Sequence, residues 1–222
     1  MTQENENRTD EGTMSWEIDY GELLKKCSSE LPAGRIKFLV EYLPDIWAQT
    51  YRKSSIRPTD VCILPFEQFN YMFDFYDSFN NSRHPDYDSK QDNRVVVAYG
   101  VTAPKRTKRD DGRLKGWVGA TEKYFGSAWD KGHFIAHSMG GAVFQSEINV
   151  FPQLRALNRG HSQEGKRFVA MEKFCRENAG IFCFHRPFYF DGSCRPAKLE
   201  FGFVDRDGHL STEIFNNRLV EN

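Results

Sequence analysis

Apolar residues recur at three- and four-residue steps early in the chain, then give way to short alternating or wholly apolar runs. Leu23, Leu24 and Cys27, followed by Ile36, Leu39, Val40, Leu43 and Trp47, predict amphipathic helices over Glu17–Cys27 and Arg35–Tyr51. Leu31-Pro32-Ala33-Gly34 breaks the chain between them, and Pro44 should bend or divide the second helix. Val61–Leu64 is a short apolar run of strand type. Phe66–Phe79 is dense in Phe and Tyr and reads as a packed helix or an irregular core segment. The polar stretch Asn80–Asn93 is the best boundary. It divides the chain into a mostly helical N-terminal extension, 1–90, and a second domain, 91–222.

The pattern then changes. Arg94–Val101 (RVVVAYGV) is a strand by composition. A second strand is expected to enter His133–Ala136, and a third to run over Glu147–Phe151 and stop at Pro152. A helix should occupy part of Leu154–Asn178, with an irregular start because of Gly160 and Gly165. Two closing strands, Ile181–Phe190 and Ala197–Val204, flank the turn Asp191-Gly192-Ser193, and Asp207-Gly208 begins a last turn. Helices, then strands, then a helix and a hairpin predict an α+β fold on an antiparallel sheet rather than a doubly wound parallel one.

Composition narrows the class. The chain has 222 residues, enough to bury a core, and 27% are charged. No apolar run approaches the ~20 residues needed to span a bilayer, so no membrane partner is expected. MTQENENRTDEG at residues 1–12 is polar, is expected to be disordered, and has no secretory signal pattern. A cytoplasmic protein as synthesised is the plain reading, with export by a dedicated secretion system left open. The five cysteines (Cys27, Cys62, Cys175, Cys183, Cys194) are odd in number and show no CxxC spacing. Reduced thiols are expected, although a hairpin bridge between Cys183 and Cys194 stays open.

Net charge is −1, but it is unevenly spread. Residues 105–131 carry Lys105, Arg106, Lys108, Arg109, Arg113, Lys115, Lys123 and Lys131 against four acids. A basic run is usually a solvated loop. It reads as a phosphate-facing patch only if chemistry sits beside it.

Three segments supply candidate chemistry: Asp130-Lys131-Gly132-His133, Asn149-Val150-Phe151-Pro152-Gln153 and Leu157-Asn158-Arg159-Gly160. Each alone has a bland reading as a turn or cap. Together they suit phosphodiester hydrolysis, which needs a base to activate water and a cation to stabilise the leaving oxygen. His titrates near neutrality, and Mg²⁺ takes a few side-chain oxygens, an Asn carbonyl among them.

These segments resemble the DNA/RNA non-specific endonucleases, a family within the ββα-metal or His-Me finger nucleases, and specifically their compact toxin-associated branch. The family carries D-R-G-H, then N-x-x-P-Q, then L-N-x-G at the start of a helix bearing an acid. Here they stand as DKGH at 130–133, NVFPQ at 149–153 and LNRG at 157–160, over a region of roughly 94–204. The resemblance implies a ββα-metal core and a single Mg²⁺, with Mn²⁺ as a substitute. It implies that His133 is the general base, that Asn158 is the metal ligand, and that Asn149 orients His133 or braces the site. Glu172 would match the helix carboxylate that contacts water on the ion, with Glu164 as its rival. An Arg on the loop after the first strand would clamp the phosphate: Arg106, Arg109 or Arg113, with Arg109 preferred. Lys131 departs from the family's Arg, keeping charge but losing the fork.

DNA and RNA are then the expected partners, together with an inhibitor (immunity) protein if the chain is a toxin or defence effector. A catalytically inactive nucleic-acid-binding module on the same fold is the alternative. Ser138, in His-Ser-Met-Gly-Gly, only superficially resembles the nucleophile elbow of serine hydrolases. His137 reads as structural or phosphate-contacting, and His161, His185 and His209 as surface or hairpin residues.

Overall fold

Two helices open the part of the chain that the computed structural model describes, which comprises residues 16–27, 31–55, 59, 61–74, 94–103, 126–141, 147–190 and 194–219. Residues 1–12 and the whole of the expected boundary loop lie outside it. Helix α1, Tyr20–Lys26, starts where the Asp19 carboxylate accepts the Glu22 N–H at 3.0 Å. Helix α2, Pro32–Ser54, begins earlier than its apolar periodicity suggests, because Pro32 stands in its first turn, where a missing N–H costs nothing. It runs through Pro44 without dividing. Among the described residues, no helix is long and apolar enough to cross a membrane.

The aromatic segment after α2 is not helical as far as Asp74, and its remainder lies outside the described residues. Strands β1 (Val61–Phe66) and β2 (Phe69–Asp74) form an antiparallel hairpin, and β2 pairs with β3 (Arg94–Val101). The period-two signal was present: Phe69, Tyr71 and Phe73 face one core while Met72 faces the other. The sheet is therefore continuous across the boundary expected at 90/91, and the part before it contains a hairpin as well as helices. Three more strands complete it: β6 (Phe182–Phe188), β7 (Lys198–Val204) and an unexpected β8 (Leu210–Asn216). All neighbours are antiparallel, in the order β1-β2-β3-β6-β7-β8. Between β3 and β6 the chain makes a separate pair, β4 (Trp129–His133) with β5 (Val150–Leu154). The short helix α3 (Arg155–Asn158) and the longer α4 (Gln163–Glu177) follow.

Alternation along the strands sends side chains to two cores. Phe182, Phe184 and Val204 pack with Leu39, Leu43 and Trp47 of α2. Cys183, Leu199, Phe201 and Phe203 face the other way, onto Phe134 and Phe151 of the β4–β5 region and Phe168 of α4. Both faces of the sheet are thus covered. The α2 side also contains a buried polar chain: Trp47 Nε1 donates to the Tyr20 hydroxyl at 3.2 Å. Tyr20 then donates to Glu200 at 2.9 Å, and Arg186 Nε donates to the same carboxylate at 2.6 Å. Every charged member has a partner, as burial requires. None of the five cysteines forms a disulfide. Cys183 lies in the core with Cys175, so the bridge to Cys194 is not made.

His185 stands on a hairpin strand, β6, as one of its two expected places, but not at the surface. It is fully buried, its ring centroid 4.0 Å from that of Phe201 and 5.7 Å from that of Phe168. Neither ring nitrogen has a hydrogen-bond partner among the described residues. Burial pulls its pKa down to about 3. The unfolded chain takes a proton near the ordinary value of about 6.5 while the native ring stays neutral. Stability is therefore complete above that value and is lost as pH falls toward 3. Between pH 7 and 5 this group should cost about 2 kcal/mol. Urea titrations of the wild type and His185→Phe should show that loss in the wild type alone.

Candidate active site

The first two motifs are opposite strands of one ladder. Asp130 pairs with Gln153, Gly132 with Phe151, and His133 with Val150. Gly132 is demanded by this pairing: a Cβ there would lie 2.2 Å from Gln153 Oε1 and 2.4 Å from Gln153 Cβ. The buried Gln153 side chain thus fills the space a larger residue at 132 would need. The strand does not stop at Pro152, as its ring suggested. The pair has only two strands, so Pro152 sits on an edge where no ladder N–H is required. Its carbonyl accepts from Asn217 Nδ2 at 3.0 Å, and Asn217 Oδ1 accepts the Leu154 N–H at 2.7 Å. Asn217 also donates to the Pro196 carbonyl, so this wholly buried amide docks the β4–β5 pair onto the end of the sheet.

Strand β4 ends on His133 instead of beginning there, because β5 starts only at Val150 and the side chain of Asn149 takes over its pairing. Asn149 Oδ1 accepts the Ile135 N–H at 2.8 Å, and Asn149 Nδ2 donates to the Ile135 carbonyl at 2.7 Å. The Asn149 backbone carbonyl accepts the Phe134 N–H at 3.0 Å. A primary amide has the donor and acceptor of a peptide, and this one substitutes for a strand residue. The buried His133 is the residue immediately before this clasp. The chain then turns through the 3-10 segment His137–Met139. His133 and His137 are consequently not on one strand, and Ser138 lies on a turn beside an antiparallel sheet, without the parallel-sheet setting of a nucleophile elbow.

Asp130 joins the first motif to the third. Its carboxylate accepts from Arg155 Nε (3.0 Å), Asn158 Nδ2 (3.2 Å), Arg159 Nε (2.6 Å) and Arg159 Nη2 (2.8 Å). All these donors lie on α3 or at its C-cap. Partial burial pushes the Asp130 carboxyl up, but bonds from Arg159, Asn158 and Arg155 together hold it below its ordinary value. The geometry also sets the Asn158 amide: its NH₂ is committed to Asp130, so its carbonyl oxygen is the atom left to accept or ligate. Neither arginine was singled out from the sequence. The signal was the Arg-x-x-Asn-Arg spacing, which clusters all three side chains on a single helical turn.

Helix α4 does not continue α3, so Asn158 and Glu172 are not on one helix and their spacing cannot be counted at 100° per residue. The break falls at Arg159–Ser162, and the Ser162 hydroxyl caps α4 by accepting the Gly165 N–H. Gly165 does not interrupt the helix. It permits a close crossing, since a Cβ there would lie 2.3 Å from the Ala156 carbonyl oxygen of α3. Glu172 is half-buried on the inward flank of α4. Burial raises its carboxyl to about 7, with Arg176 pulling it the other way. The rival, Glu164, accepts the Asn216 N–H of β8. Arg106, Arg109 and Arg113 all lie outside the described residues. Among those residues, three metal-ligating side chains gather at Asp205, Asp207 and His209. This is an exposed turn in which Asp205 accepts the backbone N–H groups of the other two.

Neither a protein-family model nor a curated protein matches the chain. Among solved structures it is similar to one described as an extracellular endonuclease, at 16% identity and a TM-score of 0.39, over 71% of this chain and 83% of that one. A superposition that loose assigns no activity.

Removing the Asn149 clasp leaves a buried N–H and C=O at Ile135 without partners. Asn149→Ala should therefore destabilise the protein by about 3 kcal/mol in urea titration, and Asn149→Asp, which sets a second buried acceptor against the Ile135 carbonyl, by at least as much. A loss within the ~0.5 kcal/mol typical of surface substitutions would show that the clasp is not needed.

Proposed function

We propose that the chain is a Mg²⁺-dependent, sugar-non-specific endonuclease with a ββα-metal core that hydrolyses phosphodiester bonds in DNA and RNA. The supporting observation is convergence. DKGH and NVFPQ pair as β4 and β5, and LNRG follows on α3 with Asn158 bonded back to Asp130. The donor set fits a hard cation, since Asn158 offers a neutral oxygen and Glu172 a carboxylate, with no thiolate among them. Asn158 would hold the ion, with Mn²⁺ as a substitute, and when bound it would supply positive charge to the leaving oxygen.

The chain's own groups would do the rest. His133 takes the proton of the attacking water, the task that an imidazole performs most often as a general base. Asn149 fixes the backbone two residues beyond His133 and so limits where the ring can go. Glu172 orients water, Arg109 clamps the scissile phosphate, and Lys131 contributes charge without a bidentate fork. A nuclease of this kind would serve as a toxin or defence effector, kept in check by an inhibitor protein.

The test is degradation of plasmid DNA and of RNA in Mg²⁺ or Mn²⁺. EDTA should abolish it. His133→Ala should lower kcat by about 10²–10⁴-fold with the melting temperature little changed, and Asn158→Ala should raise the metal concentration needed. Degradation that survives both EDTA and His133→Ala would rule the proposal out. Gel retardation without cleavage in either metal would favour the inactive binding module.

A further inference from the structure

The chemistry proposed above gives Arg155 and Arg159 no task beyond gripping Asp130. Two guanidiniums grip this one carboxylate, and one of them, that of Arg159, is next in sequence to Asn158. The two arginines are not equivalent. The Arg155 side chain is 30% exposed and that of Arg159 is 51% exposed, over an Asp130 side chain that is only 11% exposed. Arg159 grips Asp130 as a fork through Nε and Nη2. A guanidinium has five N–H donors, so three remain on its outward edge.

Stability does not account for this second cation. A half-exposed ion pair contributes about 0–1 kcal/mol, and Arg155 and Asn158 already tie α3 to β4. The fork does fix the direction of a charged, multidentate donor beside the candidate metal ligand. Guanidinium edges match phosphate oxygens, and a side chain already held in place loses little freedom on binding. We infer that Arg159, oriented by Asp130, binds a phosphate of the nucleic-acid backbone flanking the scissile one. This rests on the nuclease reading. It adds a contact that positions substrate without reading base sequence.

The experiment measures binding rather than cleavage. In the His133→Ala background with Mg²⁺ present, the anisotropy of a fluorescein-labelled DNA duplex gives the affinity from about 50 to 200 mM KCl. Arg159→Gln should flatten the slope of log K against log salt by about 0.9, the value of one phosphate contact. It should weaken binding by a similar factor for duplexes of unrelated sequence. Arg159→Lys should restore the slope, because the charge returns. An unchanged slope with Arg159→Gln, accompanied by a lower melting temperature that Lys does not restore, would overturn the inference and leave Arg159 a structural tie. A parent that binds no nucleic acid would overturn both this inference and the nuclease reading. The two failures are therefore distinguishable.

Discussion

A single carboxylate organises the candidate site. Asp130 sits on β4, and among the described residues everything it accepts comes from α3 or its C-cap. Without such a link, a helix of four residues has no stability of its own, since nucleation alone outweighs the few bonds it can make. The carboxylate supplies the missing partner. It fixes where α3 meets the strand and leaves the oxygen of Asn158 as the atom available to a cation.

This arrangement in turn depends on how the β4–β5 pair is held. A two-stranded pair is marginal alone in water. Here the Asn149 side chain extends the ladder beyond its last backbone pair, and Asn217 fastens the outer edge of β5 to the end of the large sheet. Both amides are fully buried. Each stands in for peptide groups that an ordinary strand would provide, and each leaves few polar groups unsatisfied. The hydrophobic contribution comes from Phe134 and Phe151, stacked with centroids 4.3 Å apart and joined to the core that runs through Phe168 and Phe201.

The large sheet is buried on both faces, which explains where several polar residues went. Arg186 and Glu200 look like surface charges in a strand, yet they pair in the layer beneath α1 and α2. His185 looks like a hairpin residue and is enclosed by aromatic rings. Side chains alternate along β6, so one residue of register decides which core each enters, and that register is set by β3 and β7 rather than by β6 itself. The β1–β2 hairpin shows the same limit. Its aromatic residues read as a packed helix or an irregular core segment, and their period of two gains meaning only once a neighbouring strand is present to pair with.

Local pattern alone was enough for the helical start, strand β3, strands β6 and β7, and the spacing of DKGH, NVFPQ and LNRG. These are local properties: apolar period, turn chemistry and short motifs act over a few residues. Tertiary structure decided the rest. It made Phe69–Asp74 a strand, carried β5 through Pro152 because that edge needs no N–H, and separated α3 from α4. It also gave Asp130, Arg155, Arg159 and Asn217 their tasks. Those tasks are contacts between residues 21 to 65 positions apart. No local pattern encodes such contacts, because each exists only once burial has removed water as the competing partner.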